Sequence, residues 1–113
     1  MKQLLIDTLE SIYPTFKQGT LNDQEAYPDN FITYFVSNTD DGVHLDNDVR
    51  SIEWSFSVIF YSTSQALVDT VPAQIRADLK NVGFIPQGRG NDIASDRPSH
   101  QGWAMDFIGV EIL

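Results

Sequence analysis

In the segment Ile52-Glu53-Trp54-Ser55-Phe56-Ser57-Val58-Ile59-Phe60, apolar side chains at 52, 54, 56, 58 and 60 alternate with Glu53, Ser55 and Ser57. A period of two puts the large groups on one sheet face and the small polar ones on the other. Ile59 and Tyr61 break the polar set, so the second face is partly covered at that end. A shorter strand is expected over Phe31–Val36, between Pro28-Asp29-Asn30 and the polar run Ser37–Gly42. Ser37–Arg50, which carries Asp40, Asp41, Asp46 and Asp48, reads either as a long hairpin loop or as an extended tip of both strands. Such acidic crowding favours exposure, because unpaired carboxylates are costly to bury.

Helical periodicity flanks these strands. Leu5, Leu9, Ile12 and Phe16 form one stripe, predicting a helix over residues 1–17 that Pro14 loosens or ends and Gly19 stops. Thr20–Pro28 reads as a polar loop. Val68, Val71, Ile75, Leu79 and Val82 mark a second helix in Ser64–Val82. Pro72 inside that pattern predicts a short turn at 64–69 and a main helix capped by Thr70, with Lys80 in its last turn and Gly83 as its stop. Gly83-Phe84-Ile85-Pro86 leads into a short edge strand, and Gly88 to Gly102 is polar and turn-rich. In Trp103–Leu113, Ile108, Val110 and Ile112 share one face, Met105 and Phe107 take the other, and Gly109 reads as a candidate bulge. The expected fold is α+β in two layers: a mainly antiparallel sheet of about four strands with two amphipathic helices on one face, in the order α-β-β-α-β-β.

The 113 residues amount to one domain, expected over 1–113, with 42% hydrophobic and 20% charged residues. The absence of cysteine excludes disulfides, thiolate metal sites and cysteine nucleophiles. Seven basic against sixteen acidic residues give a net charge of −9, the opposite of a phosphate-binding surface. No apolar run reaches a membrane span, and Asp7 follows the start too closely for a signal peptide.

The motifs that carry chemistry are weak. His44 and His100 lack metal-ligand spacing and sit in polar stretches suited to loop-bonding histidines. The acids of 40–48 miss the glycine and glutamate positions of a calcium loop. Gly88-x-Gly90 has no following helix to meet a phosphate, so a special turn is the better reading. Ser95, Asp96 and His100 carry the letters of a triad without its spacing. No enzyme activity, metal or cofactor is expected. Trp54, Phe56 and Phe60 read as core, whereas Trp103, beside Gly102 at a strand start, is a candidate anchor for a partner.

An ordered set of local stretches covers nearly the whole chain beyond the first helix. It comprises Phe31-Ile32-Thr33-Tyr34, Asp46-Asn47-Asp48, Trp54-Ser55-Phe56-Ser57-Val58 and Phe60-Tyr61-Ser62-Thr63. It continues with Leu79-Lys80, Gly83-Phe84-Ile85, Gly88-x-Gly90-x-Asp92 and Ser95-Asp96-x-Pro98-x-His100-x-Gly102. Together they resemble the small head–tail joining and tail-completion proteins, minor tail or capsid components of long-tailed bacteriophages and prophages. Arg97 and Ser99 depart from that pattern, which has an acid and a threonine there. The resemblance implies a non-enzymatic virion component, made in the host bacterial cytoplasm, that forms a ring at the head-proximal end of the tail tube. The implied partners are copies of itself, tail-tube and head-connector proteins, and DNA that passes through without specific binding; no membrane is involved. A ring contact of this kind needs two different patches per subunit. The candidates are the acidic loop with Asp40, Asp41, Asp46 and Asp48, and the 87–102 segment with Arg89 and Arg97. A rival expectation is a small acidic protein-binding module or regulator, such as a DNA mimic.

Overall fold

A computed structural model describes residues 1–20, 27–42, 44–45 and 48–113. Helix α1 (Lys2–Glu10) is followed by strands β1 (Thr15–Lys17), β2 (Asn30–Asp41), β3 (His44–Leu45), β4 (Asp48–Val49) and β5 (Ser51–Ser62). Helix α2 (Gln65–Asn81) then leads to β6 (Ile85–Ile93) and β7 (Gln101–Ile112). The main sheet has five strands in the order β1-β2-β5-β7-β6, and β3 and β4 pair separately near the turn between β2 and β5. The fold is therefore α+β, but its sheet is mixed rather than four-stranded and antiparallel, because β1 runs parallel to β2.

The alternation of β5 is realised as expected. Phe56, Val58 and Phe60 are fully buried and align with Phe107, Met105 and Trp103 on β7 and with Val36, Tyr34 and Ile32 on β2. Leu5 and Leu9 from α1 and Val68, Val71, Ile75 and Leu79 from α2 join the same core. Complete burial of such side chains contributes about 1.5–3 kcal/mol each, which makes this layer contact the main source of stability.

The first helix is shorter than its stripe suggests. Pro14 disfavours helical geometry at the preceding residue, and Thr15-Phe16-Lys17 instead pairs with Ile32-Thr33-Tyr34. Ile12 still packs against the core, but Phe16 crosses to the other face and meets Phe31 edge-on at 6.2 Å. The polar loop over Thr20–Pro28 lies largely outside the described residues. Of the two readings of Ser37–Arg50, the extended tip is the one found: β2 continues to Asp41, with a register shift between Val36 and Asn38.

The second helix is continuous through Pro72, contrary to the turn expected at 64–69. Ser64, not Thr70, is the cap, its hydroxyl accepting from Leu67 N at 3.4 Å, while Thr70 donates to Ala66 O at 2.9 Å. A proline inside a helix costs roughly 3 kcal/mol. A break there would turn Val68 out of the core while Val71, Ile75 and Leu79 stayed in, so packing on both sides of Pro72 outweighs the missing bond. Gly83 closes the helix at φ +104, with Gly83 N bonded to Lys80 O and Phe84 N to Leu79 O, a Schellman closure. Val82, the C-cap residue within that closure, is exposed.

The largest departure is β6, a nine-residue edge strand where a short edge strand and a polar, turn-rich stretch were expected. Its pairing with β7 skips between Gln87 and Asn91, where Gly88 (φ +78) and Gly90 (φ +96) let the chain bulge and resume. All but Pro86 of its residues are exposed, which explains the missing apolar alternation. Gly109 is no bulge, since it pairs in register with Trp54. A side chain there would press on the buried Phe84 ring at 3.0 Å.

Candidate interaction surfaces

The helices cover one face of the sheet, and the other face has two halves. At the end near β1, Phe31 is fully buried and its ring meets Phe16, Tyr27, Tyr61 and His100 at centroid distances of 5.1–6.2 Å. His100 is tied at both nitrogens. Nε2 donates to Pro28 O at 2.8 Å, which leaves Nδ1 to accept from the Ser99 hydroxyl at 2.9 Å in the neutral ring. Arg97 stacks over Tyr27 at 4.4 Å, and the Tyr27 hydroxyl donates to Asp96 at 2.8 Å. A cleft of about 600 Å³ lies here, lined by Tyr61, Thr33, Ile93, Lys17 and Asp96 among others. Burial, and then the Asp96 charge, push the Tyr61 phenol above its ordinary value. The Thr33 hydroxyl offsets this in part, although Thr33 Oγ1 reaches no partner with full hydrogen-bond geometry.

The other half of this face carries an aliphatic row. Ile108, Val110 and Ile112 on β7 and Ile85 on β6 project away from the helices, because their neighbours Phe107 and Gly109 face inward. Ile85, Val110 and Ile112 are 52%, 42% and 78% exposed. Alternation in the sequence groups Ile108, Val110 and Ile112, but only pairing adds Ile85 and only the structure leaves the row uncovered. Beside it, Asp40 and Glu53 sit directly opposite each other on β2 and β5, both exposed. Asp41 is also exposed, its backbone N–H donating to Asp40 Oδ1 at 2.9 Å. Asp48 falls in β4, and Asp46 lies outside the described residues.

On the helix face, between α2 and the β6 bulge, a groove of about 230 Å³ is lined by Asp69, Pro72, Arg76, Arg89, Trp103 and Met105, among others. Trp103 is half-buried against the core, and its Nε1 donates to Arg89 O at 2.9 Å. Arg76 Nε donates to Gly88 O at 3.3 Å. The two bonds fasten the bulge from below, so Trp103 presents part of its indole to the groove rather than standing free. Gly90 makes this approach possible, since a Cβ there would overlap Ala104 O and crowd Trp103 Nε1.

The structure thus separates candidates that the sequence grouped together. Arg89 and Trp103 share the groove on the helix face, whereas Arg97 belongs to the aromatic cluster on the opposite face. His44, in β3, lies at the far end of the molecule from His100. Arg76 and Glu53 were not candidate site residues from the sequence, because Arg76 stands in no motif, Glu53 reads only as one of the polar residues of the β5 alternation, and only pairing and packing give them neighbours. Among the described residues no group of three or more His, Asp or Glu is placed to hold a metal. No helix among them is long and apolar enough to cross a membrane. No family model and no curated protein matches the chain.

Proposed function

We propose that the protein is a non-enzymatic structural component of a long-tailed bacteriophage or prophage, completing the tail or joining it to the head as a ring at the tail-tube end. Assembly is the part of this reading that geometry supports, and the observation that carries it is the uncovered row Ile85, Ile108, Val110 and Ile112. A contiguous apolar patch on one sheet face marks an interaction surface. Withdrawing each half-exposed aliphatic from water contributes roughly 1 kcal/mol. The partners of the reading are copies of the chain, tail-tube and head-connector proteins, and DNA that transits without being held. Its compartments are the virion and, during assembly, the host cytoplasm. A charge of −9 suits a surface that DNA must pass, since phosphate affinity comes from clustered Lys and Arg.

The test is electron microscopy of particles induced from a lysogen lacking this gene, beside a complemented control. Filled heads apart from tails establish joining, and abnormally long tails establish length termination. Normal infectious particles would refute both roles and turn attention to a soluble basic partner of a small acidic binding module.

A further inference from the structure

Among the described residues, one pair of acids and one pair of arginines stand without an ion-pair partner. Asp40 and Glu53 are direct cross-strand neighbours, an arrangement of like charges that is destabilising unless a cation intervenes. Both are exposed, and neither has an ion-pair partner among the described residues, whose one ion pair joins the N-terminal ammonium to Glu111. Arg76 and Arg89 converge on the groove beside Trp103, and neither is paired with a carboxylate among the described residues. They are two of only seven basic residues in a chain of net charge −9. Asp69 also lines the groove, but its Oδ1 already accepts from Gln65.

The two pairs cannot meet within one molecule. Trp103 lies opposite Phe60 and Asp40 opposite Glu53, seven residues further along β5, or about 23 Å at the strand rise. They also lie on opposite faces of the sheet. The acids stand on the sheet face near the turn between β2 and β5, with Val110 of β7 on the other side of Glu53, in a molecule measuring 53 × 28 × 22 Å.

We propose that the groove formed by Arg76, Arg89 and Trp103 receives the Asp40/Glu53 end of the β2–β5 hairpin of a second copy. This inference rests on the ring reading and names the two patches that join. Because the patches differ, the contact is heterologous, and repeating it closes a ring or extends a filament rather than making a two-fold dimer. Each guanidinium then meets a carboxylate over a partly apolar floor. Charge-assisted bonds there are stronger than those of exposed surface pairs.

The absence of cysteine from the chain makes the test direct. Asp40→Cys and Ala73→Cys, the latter on the exposed rim of the groove, are introduced singly and together in a complementing gene, and particles are oxidised and run without reducing agent. The double variant is expected to give a ladder of multimers. Particles that contain both cysteines, remain infectious and give no ladder overturn the proposed contact while leaving the ring reading intact. If the protein is missing from particles altogether, the ring reading fails and the contact with it. A second readout guards against a misfolded variant. Arg76→Glu with Arg89→Glu should abolish incorporation, and Asp40→Lys with Glu53→Lys in the same chain should restore it. Absence of restoration in chains that are folded by circular dichroism counts against the pairing.

Discussion

Replacing Gly90 with alanine should destabilise the protein far more than the same change at Gly88, two residues away in the same bulge. Both glycines have positive φ, +78 at Gly88 and +96 at Gly90, so each substitution carries the left-handed backbone penalty of about 1–2 kcal/mol. At Gly88 nothing lies within 4 Å of the new methyl, and the penalty ends there. At Gly90 the methyl would overlap Ala104 O and lie 2.5 Å from Trp103 Nε1 and 2.7 Å from Met105 Cγ. Relief requires lifting β6 from β7, which loses the Trp103–Arg89 bond, worth about 1 kcal/mol, and adds overpacking strain of about 1–3 kcal/mol. Gly90→Ala should therefore cost about 3–6 kcal/mol against about 1–2 for Gly88→Ala. At about 4 °C per kcal/mol for a domain of this size, the extra cost of about 2–4 kcal/mol should separate the two melting temperatures by roughly 8–16 °C. Urea unfolding with a shared m-value supplies the free energies directly. Losses equal within about 0.5 kcal/mol would show that backbone conformation alone explains both glycines and that β6 does not sit as closely on Trp103 as described.

Phe84→Ala should cost about 3–5 kcal/mol in the same assay, since its buried ring packs edge-on against Phe56 at 5.8 Å and lies over Gly109. A loss under 1 kcal/mol would mean that the ring is not core. Tyr61 sets an alkaline limit. Its phenol is raised in the fold mainly by burial, so its contribution is complete below the unfolded value near 10 and disappears as pH climbs through the folded value. Stability measured from pH 9 to 11 should fall less steeply in Tyr61→Phe than in the native chain, and parallel curves would remove Tyr61 as the cause. On the proposed function, neutralising Asp40, Asp41, Asp46 and Asp48 together should slow or trap DNA during ejection. Unchanged ejection from particles that still assemble would dispose of the idea that these acids keep DNA from sticking.

Local chemistry alone carried several features through to the structure: the β5 alternation, Leu5 and Leu9 of the first helical stripe, Val68, Val71, Ile75 and Leu79 of the second, the Gly83 stop and the α+β class. Each is a periodicity or a turn preference, written in neighbouring residues and satisfied by any sheet that a helix can cover. What depended on distant residues was not legible. Thr15-Phe16-Lys17 became a strand because β2 offered it an edge, and Pro72 stayed helical because core contacts on both sides outweighed a lost bond. β6 extended through a polar stretch because an edge strand needs backbone partners more than buried side chains. The candidate surfaces divide in the same way. Asp40, Asp41, Arg89 and Trp103 were visible as residue types in suggestive places. Only tertiary structure separated Arg89 from Arg97, brought Arg76 to the groove and set Glu53 opposite Asp40. It also left Ile85, Ile108, Val110 and Ile112 without a covering layer. A sequence of this kind specifies which faces are apolar, whereas which face is covered depends on the two helices among the described residues and on the side of the sheet to which they return.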